Sequence, residues 1–232
     1  MSAKIDFKFW ILTLIFEFCL LNFSYAAPCY GTKMPERKEL VAGLQSYAIF
    51  DRDLEEDFGS LRSMQDFFML SYGIFDWLSL DLKAGSGNIK QRSPSAEKLD
   101  YTYNFAGGYG FRLRLYDAHK IKAVFGFQHI SVHPKRTYVA GVKQKAVLDD
   151  WQVSALASYD LGMVIPYIGA RWSRVDYIHW NGQQRKRRMS DPNKSWGLIA
   201  GLDIPIYEKI WINLEGSFLD SQAFATSINF KF

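Results

Sequence analysis

The sequence predicts an all-β protein, a transmembrane antiparallel up-and-down β-barrel of about ten strands. First, apolar and polar residues alternate along successive stretches of about ten residues, the length that crosses a bilayer as a tilted strand. Second, tight turns near Ile74, Ala118, Gly162 and Ile206 lie about 44 residues apart, with a long polar loop between each pair of turns. Third, aromatic residues make up 16% of the chain while the mean hydropathy is only −0.14. Strands with one apolar face produce that combination.

The first residues have the pattern of an export signal. Lys4 and Lys8 form the basic start, residues 9–23 form the apolar core, and small residues at Ser24 and Ala26 suit a signal peptidase. Cleavage is expected near Ala26–Ala27. An uncleaved anchor is the alternative, although the apolar run is short of the roughly 20 residues of a spanning helix. The predicted organisation is a signal peptide at 1–26, a flexible periplasmic segment at 27–37 and a transmembrane barrel at 38–232.

The cysteines predict no internal disulfide. Cys19 leaves with the signal peptide, so Cys29 remains as a single thiol. Lipidation of Cys29 is an alternative, but the preceding Ala26-Ala27-Pro28 is a poor lipidation motif, and an inert thiol is favoured.

The strands follow from the alternation. The predicted strands lie at about 39–50, 62–72, 78–85, 101–115, 121–130, 151–159, 164–177, 196–204, 210–218 and 222–232. The first of them alternates poorly, so eight strands remain the alternative. A period in the forties also suits a propeller, but a blade needs four strands per repeat, and each period here has two. An up-and-down barrel is therefore favoured.

The polar face is predicted to line the lumen. It carries ionised residues: Asp81, Lys83, Arg112, Arg114, Arg171, Asp203 and Glu215. It also carries glycines, which leave room for long side chains in a narrow interior. The apolar face has aromatic residues near strand ends, where the two interfaces of a bilayer favour them. These aromatic residues are Trp77, Tyr101, Trp151, Tyr159, Trp172 and Trp196.

Residues 222–232 alternate cleanly and end on Phe232. Together with the phrases LSYGIFDWLSLDL, IPYIGARW and NFKF, the mature chain resembles bacterial outer-membrane β-barrel proteins of the small OmpA/OmpX-like meander type. The resemblance implies a Gram-negative outer membrane as the location. It also implies that the last strand is a sorting signal for the barrel-assembly machinery, with the matching positions Phe224, Ile228, Phe230 and Phe232.

The lumenal charges allow two interpretations. They predict a network of ion pairs that fills a small barrel, which gives a largely plugged lumen and a structural or surface-interaction role. The alternative is a small passive porin-like channel for ions or small solutes. The sequence predicts neither enzymatic activity nor a cofactor or metal, and it leaves the oligomeric state open.

A lipid A-modifying hydrolase is a third, more distant possibility. His129 and Ser131 resemble the His-x-Ser pair that outer-membrane lipid A deacylases carry on a lipid-facing strand, where a nearby acid orients the pair. Val132 stands where that family has asparagine, and the sequence offers no obvious lipid-facing acid.

The loops carry charge of both signs. An acidic loop at 51–57 fails the calcium-loop pattern, because its sixth residue is Glu56 and its twelfth is Arg62. Basic loops are predicted to contact lipopolysaccharide phosphates through Lys135, Arg136, Arg185, Lys186, Arg187 and Arg188. Pairing with the acidic loop is the alternative. The expected location argues against nucleic acid as a partner.

Overall fold

The computed structural model describes residues 28–55, 58–92 and 98–232, and these residues form a closed barrel. The strands are β1 (Leu40–Asp53), β2 (Ser60–Phe75), β3 (Leu78–Arg92), β4 (Leu99–Ala118), β5 (Ile121–Val132), β6 (Thr137–Val139), β7 (Val142–Tyr159), β8 (Ile165–Asn181), β9 (Gln184–Met189), β10 (Trp196–Tyr207), β11 (Ile210–Phe218) and β12 (Gln222–Lys231). All strands except β6 and β9 form an antiparallel ring of ten, and β6 and β9 pair only with β7 and β8.

The first and last strands close the ring. The β1–β12 register runs from Val41 opposite Lys231 to Asp51 opposite Gln222, and Phe232 donates its backbone N–H to Leu40. An open edge in hydrocarbon would leave backbone groups unsatisfied, and closure removes that cost. The prediction of ten strands is confirmed, and the alternative of eight is wrong.

Burial settles which face is inside. Leu44, Leu82 and Ile168 are about 60% exposed on the outer surface, at 60%, 58% and 64%. Asp81 and Glu215 are almost fully enclosed, at 1% and 2%. A soluble barrel would show the reverse arrangement, so this is a transmembrane up-and-down barrel with a polar interior, as the alternation predicts.

The two ends of the barrel differ. Turns of two to five residues at 76–77, 119–120, 160–164 and 208–209 lie at one end, called here the turn end. The remaining connections lie at the other end, the loop end, and most of them are longer, although residues 219–221 form a short one. Among the described residues the helical segment is a single 3₁₀ turn, Pro192–Lys194, and none of their helices is long and apolar enough to cross a membrane.

Several strands run past their predicted limits at the loop end. Predicted loops at 131–149 and 181–194 instead contain β6, the start of β7 and β9. The β7–β8 ladder continues to Gln144 opposite Asn181, whereas β5 leaves β7 at Leu148. The extension made of β6, β9, residues 142–148 and residues 174–181 is called the outer blade. Backbone pairing continues through the blade, and one of its faces is held by Ala146, Leu148, Val175 and Tyr177, which are buried in one apolar cluster.

The segment before β1 lies inside the barrel rather than outside it in the periplasm. Lys38 donates its backbone N–H to Gly73 at the turn end, and the chain then runs into the lumen. Cys29 and Thr32 are 3% and 1% exposed, and the N–H of Cys29 reaches Glu215 Oε1 at 2.6 Å. Residues 28–38 are called the lumenal segment. The predicted signal peptide and its cleavage site lie outside the described residues.

Candidate functional site

An ion pair at the turn-end half of the lumen holds the lumenal segment. Arg112 donates to Asp81 through two nitrogens, Nε to Oδ2 at 3.0 Å and Nη2 to Oδ1 at 2.8 Å. The same guanidinium donates from Nη1 to the backbone oxygen of Lys33 at 2.8 Å. A bidentate pair fixes the plane of the guanidinium, so its remaining donor points at the segment.

Further contacts hold the first residues of the segment. Lys83 Nζ lies 3.9 Å from the ring centroid of Tyr30 and donates to Gln128 Oε1 at 3.2 Å. Gln128 in turn donates to the backbone oxygen of Pro28 at 2.5 Å. Many of these contacts involve backbone atoms of the lumenal segment. Because backbone atoms are the same in every residue, the amino-acid sequence of the segment does not predict where it lies.

The two lumenal carboxylates on β10 and β11 lie in a hydrogen-bonded chain. Tyr167 donates to Glu215 Oε2 at 2.8 Å, and Asn213 donates to the Tyr167 hydroxyl at 2.9 Å and to Asp203 Oδ1 at 2.8 Å. Gly201 leaves room for this chain, because a Cβ at that position would collide with the Tyr167 ring. This lumenal glycine thus has a packing role.

Toward the loop end, one carboxylate bridges two arginines. Asp220 accepts from Arg171 Nε at 3.0 Å and Nη2 at 2.8 Å, and from Arg52 Nη1 at 2.8 Å. The three side chains are 0–2% exposed. Arg171 was predicted to be lumenal, but its partners Arg52 and Asp220 were not. Both lie near predicted loops, where the alternation of polar and apolar residues does not assign a side chain to the lumen or to the outer surface.

Apolar side chains fill the lumen beyond this bridge. Leu61, Ile89, Leu148 and Tyr177 are at most 1% exposed and pack in one cluster. Tyr101 belongs to it at 0% exposure, so the prediction that it faces lipid is wrong. An irregularity in the β3–β4 register between Gly87 and Ile89 precedes its pairing, and this shifts the side of the sheet that Tyr101 occupies.

Little space is left within the turn-end half. The cavity beside Tyr30 and Arg112 has a volume of about 10 Å³, close to the limit for one water molecule. Arg114, the remaining predicted member of the charge network, lies at the turn end and pairs with Asp117 at 3.4 Å.

Cys29 is enclosed in the lumen. Its Sγ lies 3.5 Å from Gln152 Nε2, and the residue is 3% exposed. This enclosed placement agrees with the expectation of an inert thiol.

An acid does stand beside the His-x-Ser pair on the outer face. Ser131 Oγ donates to Asp149 Oδ1 at 2.5 Å, and His133 Nε2 lies 2.9 Å from the same hydroxyl. His129 Nε2 is 3.7 Å from Asp149 Oδ1, and its ring stacks on Trp151 at 4.0 Å. Asp149 was not predicted to lie near the pair, because the sequence predicted that β7 begins at residue 151. The imidazole that contacts Ser131 is His133 rather than His129.

The basic loop residues are divided between two faces of the outer blade. Arg185 and Arg187 share a face with Trp180, while Lys186 and Arg188 lie on the opposite face. Lys135 and Arg136 lie in the exposed connection that precedes β6.

The acidic loop contacts the end of the β9 connection. Glu55 accepts the backbone N–H of Met189 at 2.9 Å, and Asp53 pairs with Lys194. Within residues 28–55, 58–92 and 98–232, no group of three or more His, Cys, Asp or Glu side chains could hold a metal ion.

Comparison with known proteins gives one partial family match. Residues 133–230 match the family described as Chlamydia major outer membrane protein, which is less than half of the chain. No curated protein matches the sequence.

Solved barrels cover most of the chain at low identity. The translocator domain of autotransporter NalP from Neisseria meningitidis is 12% identical, with a TM-score of 0.45, and the match covers 100% of this chain and 99% of that chain. The transport unit of the autotransporter AIDA-I from Escherichia coli is 10% identical, with a TM-score of 0.45 and coverage of 96% and 97%. Ail of Yersinia pestis is 10% identical, with a TM-score of 0.39 and coverage of 84% and 99%. The fold assignment rests on the register and burial of the barrel itself.

Proposed function

We propose that the protein is a barrel of a Gram-negative outer membrane, with its turn end in the periplasm and a structural or surface-interaction role. The observation that carries the proposal is the occluded lumen. The lumenal segment fills the turn-end half, and the bridged arginines and the apolar cluster fill the loop-end half. Partners consistent with this role are outer-membrane lipid and the barrel-assembly machinery.

Conductance tests this role against a porin-like channel. Refolded protein inserted into a planar bilayer is expected to give no steady open-channel current, because two independent layers of side chains cross the lumen. An open porin of similar strand number, inserted under the same conditions, is the positive control. Steady current from the intact protein would contradict the plugged barrel and favour the small channel.

A second candidate, a hydrolase of ester-linked acyl chains on an outer-leaflet lipid such as lipid A, is favoured by the Ser131–Asp149 contact. In the step that this geometry supports, Ser131 Oγ attacks the ester carbonyl and its proton passes to Asp149. The leaving alcohol takes that proton, and water then hydrolyses the acyl-serine and restores the hydroxyl. His133, which lies beside the same oxygen, would hydrogen-bond to it during attack.

A matched pair on the same outer surface supplies the control for this candidate. Ser46 Oγ donates to Asp66 Oδ1 at 2.6 Å, but the described contacts of this pair include no histidine. If the candidate holds, Ser131→Ala abolishes release of fatty acid from lipid A in mixed micelles, measured by mass spectrometry, and Ser46→Ala leaves it unchanged. Absence of release by the intact protein, or equal rates in both variants, would exclude hydrolysis at Ser131.

A further inference from the structure

The outer blade presents a row of cations around one tryptophan. Across three strands the register sets Lys145 opposite Trp180 and Trp180 opposite Arg185. Lys145 Nζ and the Arg185 guanidinium each lie 5.6 Å from the Trp180 ring centroid. Because all three side chains leave the sheet on the same side, they form one continuous basic and aromatic surface.

Strand alternation shows that this surface faces away from the barrel axis. Lys145 shares its side of β7 with Trp151, which is 37% exposed on the outer surface of the barrel. Lys143 lies on the same side at the tip of β7. We call this side of the blade the outward face.

Further cations lie lower on the outward face, nearer the barrel. Arg187 pairs with Asp176, and Arg174 Nε lies 3.5 Å from the same carboxylate. Their charge is partly neutralised there, whereas Lys145 and Arg185 contact an aromatic ring instead. The excess of positive charge is thus greatest toward the tip.

A pair of apolar residues lies directly below the Lys145–Trp180 row. Val147 and Ile178 face each other on the outward face, one step below the Lys145–Trp180 row. The next row down is Asp149 opposite Asp176, whose charge is offset by Arg187 and Arg174. Two cations around a tryptophan, directly above an apolar pair, match an amphiphile with an anionic head and a hydrocarbon tail. A soluble anion would gain nothing from the apolar side chains below.

We propose that the outward face binds the phosphate groups of membrane-held lipids in the outer leaflet, through Lys145 and Arg185 on either side of Trp180. This inference rests on the proposed outer-membrane location and names the partner of the blade. Arginine binds phosphate with two parallel hydrogen bonds, and lysine adds a point charge.

The opposite face of the same strand supplies a matched control. Lys186 pairs across the ladder with His179, and Arg188 pairs with Tyr177, a member of the buried cluster. Arg188 stacks over Phe58 at 5.1 Å, so this face points toward the mouth of the barrel. Removing Lys186 and Arg188 changes the net charge as much as removing Lys145 and Arg185.

The experiment measures phosphatidic acid bound to the refolded full-length barrel in phosphatidylcholine micelles, by native mass spectrometry. The double variant Lys145→Gln with Arg185→Gln is expected to bind phosphatidic acid at least tenfold more weakly, because each charge-assisted hydrogen bond contributes enough for about a tenfold change. The double variant Lys186→Gln with Arg188→Gln is expected to bind it within about twofold of the original protein. Millimolar inorganic phosphate is expected to displace little lipid.

Three results would overturn the inference: an equal loss in both double variants, no loss in either, or full displacement by inorganic phosphate. Equal loss would indicate attraction by net charge alone, and full displacement would indicate a site for free anions. A heat-dependent gel shift verifies that every variant is folded. Steady channel current from the intact protein would instead contradict the proposed function. The lipid-binding measurement would still test the outward face, because it does not depend on whether the lumen conducts.

Discussion

Replacing Asp220 with alanine is expected to lower the free energy of unfolding by about 3–5 kcal/mol. Asp220 is the shared acceptor of Arg52 and Arg171, whose side chains are 2% and 0% exposed. Without the carboxylate, two guanidinium groups stay enclosed in the lumen with their principal counter-charge removed. A buried charge that loses its partner costs far more than the net contribution of the intact pair.

Urea titration of the barrel refolded in lipid vesicles measures this loss. Asp117→Ala is the control, since Asp117 pairs with Arg114 at the turn end with 36% of its side chain exposed and should cost no more than about 1 kcal/mol. A triple variant, Arg52→Met, Arg171→Met and Asp220→Leu, should recover part of the stability, because no guanidinium is then left without its carboxylate. Equal losses for Asp220→Ala and Asp117→Ala would contradict the bridge.

Deleting residues 28–37 is expected to expose the turn-end half of the lumen without opening a pore. The reporter is a cysteine at Ser158, whose hydroxyl accepts a hydrogen bond from Thr32 at 2.8 Å. With Cys29→Ser in the background, the thiol of Ser158→Cys should resist a maleimide reagent in the full-length barrel. It should react readily in the deletion variant, because water replaces the segment.

A cysteine at Ser173 serves as the comparison. Ser173 is 0% exposed, and its hydroxyl donates to Asp150 at 2.9 Å in the loop-end half. We expect it to stay protected with and without the segment, and we expect no bilayer current from the deletion variant. Labelling at Ser173, or current after deletion, would mean that the two halves of the lumen do not close independently. Protection at Ser158 after deletion would mean that the segment does not cover it.

Alternation predicted the barrel because two environments act on every strand. Lipid selects apolar side chains on one face, and the narrow lumen selects polar ones on the other. Burial therefore alternates even along most of β1, whose sequence alternates poorly. The outer blade shows where this fails. In β9 the residues from Gln184 to Arg188 are polar on both faces of the strand, so no alternation distinguishes it from a polar loop.

Partners in the lumen were predictable only where the register could be counted from a tight turn. Asp81 and Arg112 lie on neighbouring strands, and their proximity follows from the register. Asp220 lies in a connection, where no alternation assigns a face, so the bridge to Arg52 could not be foreseen. The lumenal segment is held partly through its backbone, since Arg112 donates to the backbone oxygen of Lys33. The amino-acid composition of the segment does not predict such contacts.

The lumenal segment also imposes an order in time on the assembly of the barrel. Cys29 meets Glu215 across 186 positions of sequence, and Thr32 meets Ser158 across 126. Loop closure over such separations comes late, after local hairpins have formed. The contact of Cys29 with Glu215 therefore forms only once β11, one of the last strands of the chain, is in place. Until β11 joins the sheet, the turn-end half of the lumen lacks one wall of the site that holds residues 28–38.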